Sequence, residues 1–520
     1  MRQLKTYTSR ERNMYLTAMF GQNMIFNVMS VFTNYFARDV LLIPAMTVGI
    51  IMTIAQVWDA VNDPIMGTIV DKTRTKYGKC RPYLMWTPGL IYLFIMLCFL
   101  APPFQHGAVS IWSNVGTIAW ALGFYMLFDI AYTAGDIPLW GITLLMTEDE
   151  KHRQKLQSNA RIVGAIGGGM AMLLFQPIAL WVGPLVGSDR WGSVLVAFGF
   201  TTLGFITFQM AGIFVREKIV PVNKKNNMRG NLKMMWGNKP FRQVIASGVL
   251  GAPRGIVMLV AIPLVTYYFA SKDPGKALLY TALLGGGVAI GMFPAQIMAP
   301  KLLSRFGKRN LYVFSCLVSV PFDVLMFVLY LASLNVKDGL TNPFMTALLF
   351  VLFLVKGVTL GLNIVLQTAM VADAVDYEDY VNDNRPDGVF FSGLTFVAKI
   401  GNGMSTLIYQ SLSALVGLSG VNIMLLQGML DNTDMIPREL MRRGSEAVVY
   451  SMESSALSSG QLYGFFTMMF FAISIIPAIA NLLSVIPVWK YSLTGERYAE
   501  ILDALQARRR ERGELVEDGA

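Results

Sequence analysis

The sequence predicts an all-α membrane protein of twelve transmembrane helices in two six-helix halves, and three observations carry that expectation. Of 520 residues, 54% are apolar and only 15% are charged, with a mean hydropathy of +0.49, whereas a soluble globular chain carries about a quarter charged residues. Apolar runs of about twenty residues, the length a helix needs to cross the hydrocarbon, recur along the whole chain. The longest connection on the terminus side, 216–242, is rich in Asn and Lys, falls near the middle and separates six such runs from six.

The predicted spans are 13–36, 45–70, 83–101, 111–146, 158–182, 191–215, 243–270, 277–299, 310–333, 343–374, 388–417 and 460–489. An even number puts both termini on one side. Of the 43 lysines and arginines, 31 fall on that side, 8 on the far side and 4 inside spans, which predicts cytoplasmic termini in an inner (plasma) membrane. The expected organisation is an N-terminal half 1–215, a central loop 216–242, a C-terminal half 243–489 with a far-side insertion 418–459, and a tail 490–520. Within the insertion, Asp434 followed by Pro437 reads as the start of a short lid-like helix. Tyr77-Gly78-Lys79 after the second span and Phe306-Gly307-Lys308 after the eighth echo each other. Duplicated halves of this kind enclose a midplane site in secondary transporters.

Composition excludes several classes of function. The net charge of +10 follows from the sidedness of the loops and calls for no nucleic acid, with Arg508, Arg509, Arg510 and Arg512 in a tail read as a solvated helix end or a contact with anionic lipid. Three cysteines without ligand spacing and two histidines offer no zinc site or histidine relay. With no nucleotide-binding loop either, no enzyme and no cofactor are expected. The polar, basic start Met1–Arg12 does not resemble a cleavable signal, so the first span is expected to be kept.

Polar residues inside spans are the candidate site, because such groups are costly in lipid unless they face a cavity or a partner. Asp59, Asn62 and Asp63 in the second span share one helical face and offer hard oxygen ligands for Na+ or another monovalent cation, or a shared proton. In the fourth span Asp129, Tyr132, Thr133, Asp136 and Trp140 share a face: Asp136 can accept from sugar hydroxyls, Trp140 can stack on a pyranose ring, and Thr133 can lend an oxygen to a cation. Arg161, Arg254, Lys356 and Lys399 are the intramembrane cations; Lys356 is a candidate partner of Asp323.

These segments resemble the glycoside–pentoside–hexuronide:cation symporters of the major facilitator superfamily. The resemblance lies in Asp59-Ala60-Val61-Asn62-Asp63-Pro64-Ile65-Met66-Gly67, in Asp71-Lys72-Thr73-Arg74-Thr75, and in Tyr77-Gly78-Lys79-Cys80-Arg81-Pro82-Tyr83. It continues through Tyr132 to Trp140, Met370 to Tyr377, and Lys399. It implies that a sugar, glycoside or hexuronide moves with Na+, Li+ or H+ by alternating access. It further implies a cation site at Asp59, Asn62, Asp63 and Thr133, a sugar site lined by Tyr132, Asp136, Trp140 and Arg161, and Lys399 near both. Where the family's pattern has a Lys-Asp pair and a tenth-span tryptophan, this chain has Gln22-Asn23 and Ile364. The acidic clamp is thereby halved and one aromatic wall is lost. Gln22, Asn23 and Arg254 are read as substrate-facing, and Arg254 makes an acidic sugar the alternative to a neutral glycoside. Asp71, Lys72, Arg74, Lys79 and Arg81 are candidates for a gating latch. A lysophospholipid-like carrier and a non-transporting sensor are the rival expectations.

Overall fold

A computed structural model describes residues 6–105, 114–147, 150–218, 234–383, 387–432, 437–444, 447–452 and 455–511. Long helices follow the apolar runs: α1 Ser9–Asn27, α2 Ala45–Lys72, α3 Arg81–Phe99, α4 Val115–Gly141, α5 Glu150–Leu185 and α6 Asp189–Phe214. The second group comprises α7 Lys239–Gly251, α8 Ile256–Pro263, α9 Pro274–Phe306, α10 Lys308–Ser333, α11 Pro343–Asn382 and α12 Asp387–Leu415. After these come α13 Gly420–Asn432, the antiparallel hairpin β1 Val448–Met452 with β2 Ser455–Ser458, α14 Ser459–Val488 and α15 Gly495–Glu511.

Among the described residues, ten helical stretches are long and apolar enough to cross a membrane, and α12 with α13, bent by 79°, makes an eleventh if counted as one span. The remaining predicted span, 13–36, is helical as well: α1 continues through π-helical turns at Val28–Phe32 and Phe36–Val40. Its polar residues, among them Gln22, Asn23, Asn27 and Asn34, keep it below the hydropathy of a lipid-facing helix. A capping box starts it, with Glu11 N–H donating to Thr8 Oγ1 at 3.2 Å and Thr8 N–H to Glu11 Oε2 at 2.7 Å.

Two compact units result: Met1–Asn223 with Met258–Ala282 and Thr406–Met469, and Lys224–Val257 with Leu283–Ser405 and Phe470–Ala520. The packing division therefore differs from the division into sequence halves, because far-side stretches of the second half pack into the first unit. In that unit α1 lies close against α5. A Cβ at Gly167 would stand 2.2 Å from the Phe20 carbonyl oxygen, so only glycine allows the approach. Phe32 stacks on Phe175 with centroids 4.0 Å apart in the buried core.

Three expectations change at this level. The first span does not end at 36: Arg38 and Asp39 are still helical and only 2% and 1% exposed, so Arg38 joins the four intramembrane cations expected from sequence. The tail is not merely a solvated helix end. Ile501 and Leu505 of α15 are buried, Tyr498 OH donates to Asp376 at 2.8 Å, and Arg508 donates to the Asp379 carbonyl oxygen at 3.2 Å, all within the second unit. The insertion contains α13, the hairpin and a five-residue helix Pro437–Met441; Asp434 itself lies outside the described residues.

Candidate functional site

The first unit brings together α1, α2, α4 and α5, which carry most of the polar candidates. On α2 the opposite face is apolar and open, with Val57, Val61 and Ile65 each about half exposed, while Asn62 is 4% exposed. That asymmetry is what a helix with one face to lipid and one to a polar interior requires. Asp59 meets α4 through Thr133, whose Oγ1 donates to Asp59 Oδ1 at 3.4 Å. Thr133 is 2% exposed. Among the described residues, the Asn62 side-chain nitrogen is buried without a hydrogen-bond partner. Turning that amide over would present its oxygen instead, so the position offers an acceptor to a cation lying between Asp59, Asp63 and Thr133.

One turn further along α4 lies a second polar group. Gln22 on α1 donates through Nε2 to Asp136 Oδ1 at 2.7 Å and to the Tyr132 hydroxyl. Its carbonyl oxygen accepts from Asn23 Nδ2 at 2.6 Å, and that nitrogen also donates to the Met19 carbonyl oxygen at 3.0 Å. Gln22 is 4% exposed, while Asp136, Tyr132 and Trp140 remain partly accessible. Phe26 and Phe128 flank the Tyr132 ring at centroid distances of 5.6 and 5.5 Å. Arg161 on α5 is exposed. Asp129 is 7% exposed, one turn before Thr133 on the same helix.

The latch candidates are placed differently. Arg81 Nε donates to the Gly212 carbonyl oxygen at 3.1 Å and its Nη2 to Ile213 O at 3.0 Å, at the C-terminal end of α6 in the same unit. A cation there also complements the helix dipole. Arg74 donates to the Thr73 carbonyl oxygen at 2.8 Å, Lys72 is exposed, and the Asp71 side chain lies outside the described residues. Lys79 uses its backbone N–H: Glu217 accepts from the N–H groups of Lys79, Cys80 and Arg81 at 2.8, 2.7 and 2.9 Å. Sequence reasoning missed Glu217, although an acid after the sixth span was visible.

Lys399 and Arg254 belong to the second unit, on α12 and between α7 and α8 respectively. The expected pairing of Asp323 with Lys356 is present, with Lys356 Nζ 2.5 Å from Asp323 Oδ1 and side chains 4% and 2% exposed. Among the described residues no group of His, Cys, Asp and Glu has the arrangement of a metal centre.

Comparison with known proteins bears on the family and the fold. A family model described as MFS/sugar transport protein matches residues 14–495. The chain is 27% identical to an isoprimeverose transporter of Lactiplantibacillus pentosus, over 76% of this chain and 78% of that one. It is 22% identical to a glucuronide carrier protein homolog of Escherichia coli K12, over 96% and 95%. Solved structures share the fold at low identity. A bacterial homolog of the human lysosomal transporter Spinster has TM-score 0.62 at 13% identity, covering 93% of this chain and 96% of that one. A D-xylose-proton symporter has TM-score 0.56 at 13% identity, covering 92% and 97%. A polytopic helical chain with a polar interior and a family match over nearly its whole length is a transporter and not an enzyme, and it belongs to the MFS/sugar transport protein family.

Proposed function

We propose that the chain carries a sugar or glycoside across the plasma membrane, with both termini cytoplasmic, by symport with Na+, Li+ or H+. The observation that carries this reading is the juxtaposition on α4 of two polar groups one turn apart, Thr133 with Asp59 and Asp136 with Gln22 and Tyr132. The cation lies between Asp59 and Asp63, offsets one of their two charges and takes oxygens from Asn62 and Thr133. Asp136 accepts from sugar hydroxyls, and Trp140 covers the apolar face of the ring. Because both sites share one helix, ordering it for one ligand favours the other, and the coupling is reciprocal. Arg161, exposed on α5, donates to hydroxyls, and Lys399 serves as a charge that responds to occupancy.

The test is uptake of neutral glycosides and glucuronides into vesicles under imposed Na+ or H+ gradients, comparing wild type with Asp59→Asn. Accumulation driven by one gradient and lost in the variant is expected. Uptake that ignores both gradients, or an Asp59→Asn variant that still accumulates substrate, overturns the reading.

A further inference from the structure

The far-side insertion takes no part in the cation or sugar wall, yet it packs on two segments that repeat each other. The first span ends in a π-helical turn, Phe36–Val40, closed by Leu41 N–H to the Phe36 carbonyl oxygen at 2.8 Å and Ile43 N–H to Ala37 O at 3.0 Å, with Leu42 at φ 60°. The seventh ends the same way at Leu264–Phe269, through Ala270 N–H to Val265 O at 2.8 Å and Lys272 N–H to Thr266 O at 2.9 Å, with Ser271 at φ 48°. Phe36 thus corresponds to Val265, Arg38 to Tyr267 and Ile43 to Lys272, one of each pair from each sequence half. Turns of this kind are rare and concentrate at functional sites.

The two turns meet. Tyr267 OH donates to Asp39 Oδ1 at 2.9 Å, and Asp39 Oδ2 holds Arg38 Nη2 at 2.7 Å, both side chains being almost fully buried. Beside them the second span packs on the eleventh: a Cβ at Gly49 would stand 2.9 Å from Gln410 Cβ, and Ser411 Oγ lies 3.7 Å from Met46 Sδ. Far-side ends of both sequence halves are therefore sealed against each other inside the first unit. Among the described residues, Thr266 Oγ1 and Gln410 Oε1 are buried in that seal without a hydrogen-bond partner, a cost that contact with water would remove.

A seal left partly unsatisfied needs something to hold it shut, and α13 crosses it. Bent by 79° from α12, α13 buries Ile423, Leu426 and Met429 and brings Gln427 to the junction. There Gln427 Nε2 donates to the Asp39 carbonyl oxygen at 2.9 Å and to the Tyr267 hydroxyl at 3.2 Å, one residue from each half. One turn on, Asp431 pairs with Lys272, which closes the second π-turn and also pairs with Asp189 of the first half, each at 2.8 Å. The hairpin in turn holds α13: Asn432 Nδ2 donates to Tyr450 OH at 3.2 Å, and a Cβ at Gly428 would stand 2.8 Å from that hydroxyl oxygen.

We propose that α13 is a releasable strap across the far-side mouth: Gln427 and Asp431 hold the ends of the first and seventh spans together and let go each time that mouth opens. A contact made in one state only shifts the equilibrium by its own strength, so the strap sets how often the far side opens. The inference rests on the carrier opening to both sides in turn and holds whichever sugar or cation is carried.

The experiment is pulsed electron–electron double resonance on the full chain in lipid nanodiscs, with spin labels on Leu185→Cys and Leu415→Cys. These positions end α5 and α12, one in each half, and are 68% and 82% exposed, whereas Cys80, Cys98 and Cys316 are buried. At about 0.1 M salt the chain with Gln427 intact is expected to show mainly one short separation. Gln427→Ala should enlarge the longer, far-side-open population about two- to tenfold, the effect of one lost hydrogen-bonding group. Raising salt to about 1 M should act in the same direction, because the carboxylates that hold Lys272 are about half exposed and their pairing is screened. Lys272→Gln should open the mouth likewise and abolish the response to salt. Populations unmoved by Gln427→Ala, or unmoved by both Lys272→Gln and salt, overturn the proposal even where the variants unfold earlier, since α13 is then a static brace. Should Gln427→Ala not give a monodisperse chain, the second comparison alone decides it. No substrate is present in this measurement, so failure of the proposed sugar and cation sites, read from uptake by Asp59→Asn, is distinguished from failure of the strap.

Discussion

At the scale of single residues, Gln22 shows how one amide organises a binding wall. Its nitrogen is shared by Asp136 and Tyr132 and its oxygen is held by Asn23, so every polar atom of the side chain is committed. The Asp136 carboxylate is thereby oriented by the amide on α1. Replacing Gln22 by Ala removes a hydrogen bond to a charged group, worth about 1.5–3 kcal/mol, and the expected result is sugar binding weakened by roughly ten- to a hundredfold. Cation binding at Asp59, measured in the absence of sugar by isothermal titration, should change little. Equal losses for both ligands would show that Gln22 supports the fold rather than the sugar wall.

At the scale of elements, helix ends and helix breaks decide what sequence could reveal. The α3 N-terminus is satisfied from a distance by the Glu217 carboxylate, which reaches three successive N–H groups. Gly78, at φ +109°, lets the preceding turn pass so close that a Cβ there would stand 2.4 Å from Glu217 Cδ. Glu217→Gln keeps the shape but loses the charge and is expected to cost about 1–2 kcal/mol, seen as a lower midpoint in thermal unfolding with an unchanged KM for uptake. The spans and the two stripes were legible, because helical spacing alone puts Asp59, Asn62 and Asp63, or Thr133 and Asp136, on one face. The end of the first span was not. Arg38-Asp39 reads as a loop, and the pair is buried only because Tyr267 donates to Asp39 at 2.9 Å and the Tyr409 ring lies under the guanidinium at 4.9 Å, both partners hundreds of residues away. The 3₁₀ turn at Arg254 was hidden for a related reason: Pro253 signals a bend, but the freed Ala252 carbonyl is held by Ser405 of α12 and the Arg254 guanidinium by Cys316 of α10 and Asn481 of α14. The docking of α15 was recoverable, since Tyr498, Ile501 and Leu505 follow helical spacing.

At the scale of the whole molecule, the first unit is tied together at both of its ends by ion pairs that respond to opposite extremes of pH. On the far side Lys272 bridges Asp189 and Asp431, each at 2.8 Å, joining the α5–α6 connection to α13. Burial of Lys272 disfavours its charge, but the two carboxylates outweigh burial and raise its pKa above the ordinary lysine value. On the terminus side Glu11 pairs with Lys218 at 2.8 Å. Burial of Glu11 opposes ionisation, and the hydrogen bonds from Lys218 and Thr8 outweigh it and hold the carboxyl below its usual value. A raised lysine contributes stability that is fully present below about pH 10.4 and lost as pH rises through the folded value. A depressed glutamate contributes stability that is present above about pH 4.3 and lost as pH falls through the folded value. The partners of Lys272 are about half exposed, so solvent screening holds its bridge to about 1 kcal/mol or less, or a thermal midpoint lower by about 1–2 °C in a chain of this size. Lys272→Gln should therefore unfold earlier than wild type at neutral pH, with the difference closing under strongly alkaline conditions, where Lys272 loses its proton. Glu11→Gln should show its own difference at neutral pH, closing only below the ordinary glutamate range. Midpoints followed by intrinsic fluorescence from acid to alkaline pH check both. A Lys272→Gln difference that persists unchanged through strongly alkaline pH would mean that the bridge to Asp189 and Asp431 is not what Lys272 contributes.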